Sequence, residues 1–407
     1  MFEITLNAKL KLIFPWLLVV LLGLIYMWHF NNLDNDFQVF YKAGLDFRDG
    51  INPWRNQIDP NALYLNGSST LILFSILSFF PLEWAILLVR ILSLVTIVSA
   101  IFCVRDLLHK IPQPQLIIFI FLSFPVRSAM EYGQLTVIFS VIAFQIIVCV
   151  NNQSSDTVLV VLGLALILDF KPHIFIGVLT FLILMRRLAL LAKAFLVWLF
   201  FQIIVGFSCQ IFPFIEMLKA ISFRSETITE GEDGLSIISL FNFDSQWSTI
   251  FTITSAMMFS IYSLTIKRDL ASKLLPLIAL SLLITPLLHP TDLMLVLLVF
   301  ILKAKLTYLG SLVLGMFFVW SPQLSGAGFT FFVILMSLFA SIFFGYRFSL
   351  KQIALLFLPN VIYLVLIKAG AHEVLIRQSI HLMIPILIGA YYSLYSSKID
   401  SDTEKSG

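Results

Sequence analysis

Long apolar runs recur along this chain and limit what it can fold into. The first extends from Leu12 to Phe30, and later runs reach about 15–20 residues, the length that a bilayer-spanning helix requires. Hydrophobic residues make up 59% of the sequence and charged residues only 12%, whereas a soluble domain carries roughly 25% charged residues. Such a chain cannot cover a water-facing surface, so we predict an all-α polytopic membrane protein.

The amino-terminal run is predicted to remain as an anchor and first transmembrane helix. Lys9 and Lys11 precede it, but the run is longer than a signal-peptide core and no small-residue cleavage pattern follows it. At the other end of the chain, residues 396–407 are polar and are predicted to form a disordered cytoplasmic tail.

The charge balance and the cysteines indicate no further class of partner. The net charge of +3 is small, so no nucleic-acid partner is predicted. Cys103, Cys149 and Cys209 lie far apart inside apolar runs. They lack the spacing of a metal site, and we interpret them as small packing residues.

The apolar runs predict about 12–14 transmembrane helices within a single domain, residues 1–395. These helices are expected near residues 12–30, 84–104, 113–126, 134–150, 157–169, 173–186, 193–212, 248–266, 273–288, 291–302, 306–320, 328–345, 351–367 and 379–395. The run at residues 69–80 is interpreted as re-entrant or surface-lying, because a span there would move every later loop to the other side of the membrane.

The basic residues determine the predicted orientation. With residues 69–80 not spanning, the short basic connections fall on the side of the amino terminus, which the positive-inside rule makes cytoplasmic. Their basic residues are Lys9, Lys11, Arg105, Lys110, Arg186, Arg187, Lys193, Lys267, Arg268, Lys273, Lys303, Lys305, Arg347 and Lys351. The two long connections, residues 31–83 and 213–247, are then extracytoplasmic loops, where we expect the functional site.

The first outer loop opens with two carboxylates and an amphipathic pattern. Asp34 and Asp36 precede apolar residues at helical spacing, so we predict a helix lying on the outer leaflet. Its apolar positions are Phe37, Phe40, Tyr41, Gly44 and Phe47, and its polar positions are Gln38, Lys42, Asp46 and Asp49. Asp36 has two compatible interpretations, a helix N-cap and a general base at the membrane surface.

Several short motifs occur in the order found in a known class of membrane enzymes. They are Asp36-Phe37-x-x-Phe40-Tyr41-x-Ala43, Asn52-Pro53-Trp54, LSFFPLEWAILLVRILSLV, Gly133-Gln134, and Lys171-Pro172 followed by Arg186-Arg187. With these motifs the chain resembles, over residues 12–300, the GT-C glycosyltransferases. More narrowly, it resembles glycosyltransferase family 87, the polyprenyl-phosphate-sugar-dependent mannosyltransferase-like proteins.

The resemblance implies a GT-C fold with surface and re-entrant helices in the first outer loop. It implies that mannose, or another hexose or pentose, passes from a polyprenyl-phosphate donor to an extracytoplasmic lipid-linked or glycan acceptor at the plasma (inner) membrane. Asp36 would deprotonate the acceptor hydroxyl, and in-line attack would invert the anomeric carbon. One base suffices for this reaction, so no cofactor and no metal are predicted, and membrane lipids are the remaining expected partner.

The donor phosphate is the leaving group, so its site should offer positive charge and helix N-termini. Lys171 and His173 flank a proline at a predicted helix start, which suits such a site. The alternative for Lys171 is an interfacial position or a pair with Asp169. His289 also precedes a proline at an outer helix start and is a second candidate for binding phosphate.

Two arginines have open interpretations. Arg127 is a candidate for binding phosphate or sugar hydroxyls, and an ion pair with Glu131, four residues later, is the alternative. Arg90 lies inside a predicted span, where a charge is costly. It either pairs with Glu83 or approaches the site.

Three polar residues complete the predicted substrate-binding set. Gln134 and Tyr41 belong to the motifs quoted above, and both are expected to contact substrate. Asp34 stands beside the candidate base. The spacing Asp34-x-Asp36 is only weak support for a bound cation, and a solvated loop acid is the favoured alternative to a metal ligand. Asp34 is also predicted to contact substrate.

Two other functions fit parts of the sequence. A transporter of a lipid or small polar solute would explain many spans and the short helices in residues 157–186, but its polar groups would gather at the bilayer midplane. Here they gather at one surface. A lipid-linked glycan polymerase or ligase would share the outer site and join whole glycans.

Overall fold

The structure is a computed structural model that describes most of the chain. The described residues are 2–29, 35–55, 64–103, 113–151, 157–170, 172–227, 290–303, 307–317, 349–371 and the isolated positions 278, 282, 383, 384, 386–388 and 391. Within them the chain forms helices, turns and short connections, with no β-strand. The predicted all-α class is therefore confirmed for the part of the chain that the structure describes.

The helices follow the apolar runs along the chain. They are α1 (Phe2–His29), α2 (Asn35–Arg48), α3 (Ser68–Leu77), α4 (Leu82–Cys103), α5 (Gln113–Leu122), α6 (Phe124–Tyr132), α7 (Thr136–Asn151), α8 (Val158–Phe170), α9 (Pro172–Leu184), α10 (Leu188–Cys209), α11 (Pro213–Thr227), α12 (Leu293–Lys303), α13 (Tyr308–Met316) and α14 (Leu350–Lys368). A single 3₁₀ turn, Pro290–Asp292, precedes α12.

Two of the described helices, α4 and α10, are long and apolar enough to cross a membrane. Each has 22 residues, which corresponds to about 33 Å, slightly more than the hydrocarbon core of a bilayer. Length and composition thus indicate a membrane protein, while the full number of spans stays a prediction.

The core is built around α7 and α12. α7 packs against α4, α8 and α12, and residues 291–300 are buried without exception. A helix that is apolar and enclosed on all sides lies inside a bundle. α12 is therefore a central helix, and the turn that precedes it is held deep among its neighbours.

Helices α2 and α3 form a tightly packed pair within residues 31–83, the segment predicted to be the first outer loop. A Cβ atom at Gly44 would lie 2.4 Å from the backbone carbonyl of Phe74, so only glycine allows this approach. The Phe37 ring also meets the Phe74 ring, with centroids 5.5 Å apart. The amphipathic pattern of α2 is confirmed, but its apolar face is covered by α3, because the two helices bury each other's aromatic residues.

Helix α3 has ten residues, which span about 15 Å. That length is about half of a bilayer core. The connection before α3 packs Trp54 and Tyr64 together, with ring centroids 5.6 Å apart. The re-entrant or surface-lying interpretation of residues 69–80 agrees with this length and stays a prediction.

One predicted boundary is wrong. The predicted span 113–126 is interrupted at Ser123, whose backbone is extended, because Pro125 has no amide hydrogen to continue the hydrogen bonds of α5 and instead occupies the first turn of α6. The predicted connection 213–247 begins with the 15-residue helix α11, which was not predicted. The predicted spans 248–266 and 328–345 and the tail 396–407 lie outside the described residues, as do most of 273–288 and 379–395.

Candidate functional site

The predicted base, Asp36, lies in the first turn of α2 and is half-buried. Its Oδ2 accepts a hydrogen bond from Nε2 of Gln134 at 2.6 Å. Because α2 begins at Asn35, Asp36 is inside the helix rather than at its N-cap position. The N-cap interpretation is therefore wrong, and the carboxylate is directed to a residue 98 positions away in the sequence.

A sharp turn at the end of α6 brings Gln134 to Asp36. Gly133 has φ +62°, a left-handed conformation that glycine adopts without strain. A Cβ at Gly133 would also lie 2.9 Å from Cβ of Phe37. The amide of Gln134 closes the turn by donating to the carbonyl of Ala129 at 2.9 Å. Gly133 is thus needed for both the turn and the close approach of α2.

The turn before α12 contributes a third member of the site. Oγ1 of Thr291 donates to Oε1 of Gln134 at 2.7 Å, and Oγ1 of Thr136 reaches the same oxygen at 3.4 Å. An ionised carboxylate only accepts hydrogen bonds, so the amide group of Gln134 must turn its NH₂ toward Asp36. The two hydroxyls then donate to its carbonyl oxygen and hold that orientation.

The two carboxylate oxygens of Asp36 differ in their hydrogen bonds to the described residues. Among the residues that the structure describes, no hydrogen bond to its Oδ1 occurs, while Oδ2 is held by Gln134. A carboxylate fixed through one oxygen and open at the other is suited to accept a proton from a bound hydroxyl group.

Arg90 supports the same turn from α4. The side chain is 3% exposed, and its Nε donates to the carbonyl of Met130 at 2.9 Å. Met130 lies in the last turn of α6, where carbonyls lack partners within the helix. Of the two interpretations of Arg90, this contact favours the approach to the site over a pair with Glu83, which is exposed.

Arg127 lies in the core, 2% exposed, with its guanidinium 5.9 Å from the centre of the Phe124 ring. Its electrostatic neighbours are Tyr26, Glu131 and Tyr363. The ion pair of Arg127 with Glu131 stays a prediction. A contact between Arg127 and substrate stays a prediction.

The remaining predicted site residues are separate from this cluster or outside the described part. The hydroxyl of Tyr41 donates to the carbonyl of Phe80 at 2.7 Å, which joins α2 to the connection between α3 and α4. Asp34, Lys171 and His289 lie outside the described residues, and the side chain of His173 is not among those described.

A buried carboxylate, Asp169, caps α3 from another helix. Its Oδ2 accepts from the backbone amide of Ser69, and its Oδ1 accepts from Nε1 of Trp198 at 3.0 Å and Nε2 of Gln202 at 2.8 Å. The residue before α3 is Gly67, where a Cβ would lie 2.1 Å from Oδ1 of Asp169. Asp169 was predicted only as an alternative partner of Lys171, because no local sequence pattern signals a cap supplied by a distant residue.

A second carboxylate, Glu216 on α11, binds the connection that follows α2. Glu216 is 7% exposed. Its Oε2 accepts from Nδ2 of Asn52 and Nε of Arg55, each at 3.1 Å, and its Oε1 accepts from Nζ of Lys219 at 2.8 Å. Asn52, Arg55, Glu216 and Lys219 form a cluster, the Glu216 cluster. It was not predicted, because Asn52 and Arg55 lie 164 and 161 positions from Glu216 in the sequence.

The hydrogen bond from Lys219 and those from Asn52 and Arg55 lower the pKa of Glu216, against burial, which raises it. A carboxylate with a lowered folded pKa stabilises the fold above its unfolded pKa, about 4.3, and loses that contribution as pH falls through the folded pKa. We expect Glu216→Gln to lower the thermal unfolding temperature at neutral pH, and this difference from the wild type to shrink as pH falls below about 4.

Unfolding of both proteins in detergent across this pH range measures the effect. Glu83→Gln, at an exposed acid on α4, is the control and should show no such pH-dependent difference. A Glu216→Gln difference that stays constant with pH would contradict the assignment.

Comparison with protein-family models, with curated proteins and with solved structures finds no match to this chain. Within the described residues, no group of three or more His, Cys, Asp or Glu side chains is arranged to hold a metal ion. The described residues form a helical protein with two helices long and apolar enough to cross a membrane. Its candidate site contains a half-buried carboxylate, Asp36, held by Gln134.

Proposed function

We propose that this chain is an integral membrane glycosyltransferase of GT-C type that uses a polyprenyl-phosphate sugar as donor. One observation carries the proposal, the contact of Asp36, Gln134 and Thr291. Asp36 and Gln134 come from two of the motifs on which the resemblance rests, and Thr291 lies two residues after the candidate His289. Contact between motif residues so far apart supports a common site.

In the proposed reaction, Asp36 removes the proton from an acceptor hydroxyl. The hydroxyl oxygen attacks the anomeric carbon, the bond from that carbon to the donor phosphate oxygen breaks, and polyprenyl phosphate leaves with the bonding electrons. The proton stays on the carboxyl group of Asp36 until it passes to solvent. Attack opposite the leaving group inverts the anomeric configuration, and no covalent sugar intermediate forms.

The end of α8 supports a donor site near the base. Phe170, the last residue of α8, stacks on Phe139 of α7 with ring centroids 4.1 Å apart. Phe139 lies one turn after Thr136, whose hydroxyl reaches Gln134. The end of α8 therefore packs on the first turns of α7, the helix that begins beside the Asp36 site, and the candidate Lys171 follows α8 in the sequence.

Purified protein in lipid vesicles, supplied with a radiolabelled polyprenyl-phosphate sugar and candidate acceptors, tests the proposal. Label transferred to a lipid or glycan acceptor is the expected result. Uptake of intact labelled donor without transfer would instead identify a transporter. Transfer of whole glycans from a lipid carrier, without transfer of single sugars, would identify a polymerase or ligase.

Thr291→Val keeps the side-chain shape and removes the hydroxyl that orients Gln134. Because Asp36 is then held less firmly, we expect kcat to fall by up to about 100-fold with little change in KM. Thr291→Ser should restore most of the activity, since it keeps the hydroxyl. Steady-state kinetics in lipid vesicles measure both variants.

Thr136→Val is the matched control, because the hydroxyl of Thr136 reaches the same oxygen at the longer distance of 3.4 Å. Its effect on kcat should be clearly smaller. Equal losses in Thr291→Val and Thr136→Val would show that the orientation of Gln134 does not depend on Thr291.

A further inference from the structure

Helix α11 has two different faces. One face is buried in the protein and carries Glu216, Met217 and Ala220. The opposite face leaves large apolar side chains exposed, with Phe214 at 44%, Ile215 at 47% and Leu218 at 48%. Folded proteins rarely leave such an apolar face to water without a function.

This exposed face continues the outer surface of α10. The exposed residues of α10 include Leu199, Phe200, Ile203 and Phe207, and Phe207 is 83% exposed. Because α10 is long and apolar enough to span a bilayer, its exposed apolar side is the side that would meet lipid. Phe212, at 77% exposure, lies in the connection to α11 and joins the two surfaces.

A sharp turn separates the two helices. Gln210 has φ +53°, and the amide of Ile211 donates back to the carbonyl of Gly206 at 3.1 Å. This left-handed turn ends α10. The Pro213 ring then packs near Gly206, where a Cβ would lie 3.5 Å from it. α11 therefore starts beside the last turn of α10 rather than extending its axis.

Charged side chains border the apolar face of α11. Lys219 and Arg55 are 65% and 70% exposed in their side chains, and both bind the buried Glu216. Cationic side chains beside an apolar helix face match the phosphate layer and the outer acyl region of a membrane. The Glu216 cluster fixes the opposite face of α11 to the first outer loop, so the helix can present only this side.

We propose that α11 is an interfacial helix whose apolar face, Phe214, Ile215 and Leu218, rests in the phospholipid leaflet next to the end of α10, with Lys219 and Arg55 at the level of the lipid phosphates. The occupant of this face is the bilayer itself. The inference rests on the surface of α10 and α11 and is independent of glycosyl transfer.

Spin labels on cysteines test this proposal in phosphatidylcholine nanodiscs. Labels at Ile215→Cys and at Leu218→Cys are introduced singly, in a chain whose Cys103, Cys149 and Cys209 are replaced by serine. Leu199→Cys on α10 is the lipid-facing reference, and Asp49→Cys, an exposed acid at the end of α2, is the water-facing reference. Collision with oxygen and with a water-soluble nickel complex is measured by electron paramagnetic resonance.

We expect both α11 labels to favour oxygen over nickel, as the Leu199 label does, at a shallower depth. Nickel accessibility equal to that of the Asp49 label would place the face in water and overturn the proposal. Labels shielded from both reagents, with a short distance between labels on two chains, would identify a second copy as the occupant and also overturn it.

Photo-crosslinking provides a second measurement on the unaltered chain, in case the serine background does not fold. A phosphatidylcholine with a diazirine near the start of its acyl chain is included in the nanodisc and activated by light. Adducts are expected on the peptide that contains residues 212–219 and not on the peptide that contains residues 46–51. The reverse distribution would reject the lipid assignment.

Discussion

Replacement of Asp36 by asparagine is expected to lower sugar transfer by about 10²–10⁴-fold, the usual contribution of a general base. Asparagine offers a carbonyl oxygen to Nε2 of Gln134, so the hydrogen bond that holds the side chain can persist. The variant should therefore fold and insert like the wild type. What it lacks is the capacity to accept a proton from the acceptor hydroxyl.

The measurement is single-sugar transfer by purified variant and wild type in the same vesicles, with thermal unfolding as the check on folding. Asp49→Asn is the matched control, because Asp49 follows the same helix and is exposed. It should transfer sugar at the wild-type rate. If Asp36→Asn kept near-normal turnover, Asp36 would not be the base, although sugar transfer by the chain would still stand.

Removal of the Asp169 carboxylate is expected to cause the largest loss of stability. In Asp169→Ala the backbone amide of Ser69, Nε1 of Trp198 and Nε2 of Gln202 lose their acceptor inside the protein. A buried donor left without a partner costs about 1–3 kcal/mol. We expect a total loss of about 3 kcal/mol or more, with α3 released from α8 and α10.

Thermal inactivation and detergent-solubilised yield measure this loss. Asp169→Asn keeps the shape and one acceptor oxygen, so its loss should be smaller than that of Asp169→Ala. Glu83→Ala, at an exposed acid, should change stability little. Wild-type stability in Asp169→Ala would show that the three donors find other partners and that the carboxylate does not hold α3.

The helices could be predicted largely from the sequence because apolar length is a local property. The predicted spans 84–104 and 157–169 match Leu82–Cys103 and Val158–Phe170 within two residues. The break at Ser123 had a visible signal, Pro125, that the prediction did not use. Helix α11 was missed because long stretches without an extended apolar run were read as loop.

The site was predicted in part. Asp36 and Gln134 were both selected from short motifs, yet their contact was not predicted. Thr291 was not selected, although it lies two residues after the candidate His289, and no spacing relates it to Gln134, 157 positions earlier. Such a contact depends on where α12 packs relative to α6 and α7.

Composition and the order of apolar runs determined by themselves that this chain is helical and suited to lipid. Only the tertiary structure determined which donors form hydrogen bonds with each carboxylate. Asp36, Asp169 and Glu216 look alike in sequence, but one is fixed through a single oxygen, one caps a distant helix and one joins a loop to α11. The physical reason is that the hydrophobicity of a helix depends only on consecutive residues. A buried carboxylate instead needs hydrogen-bond donors, and here packing brings these donors from distant parts of the chain.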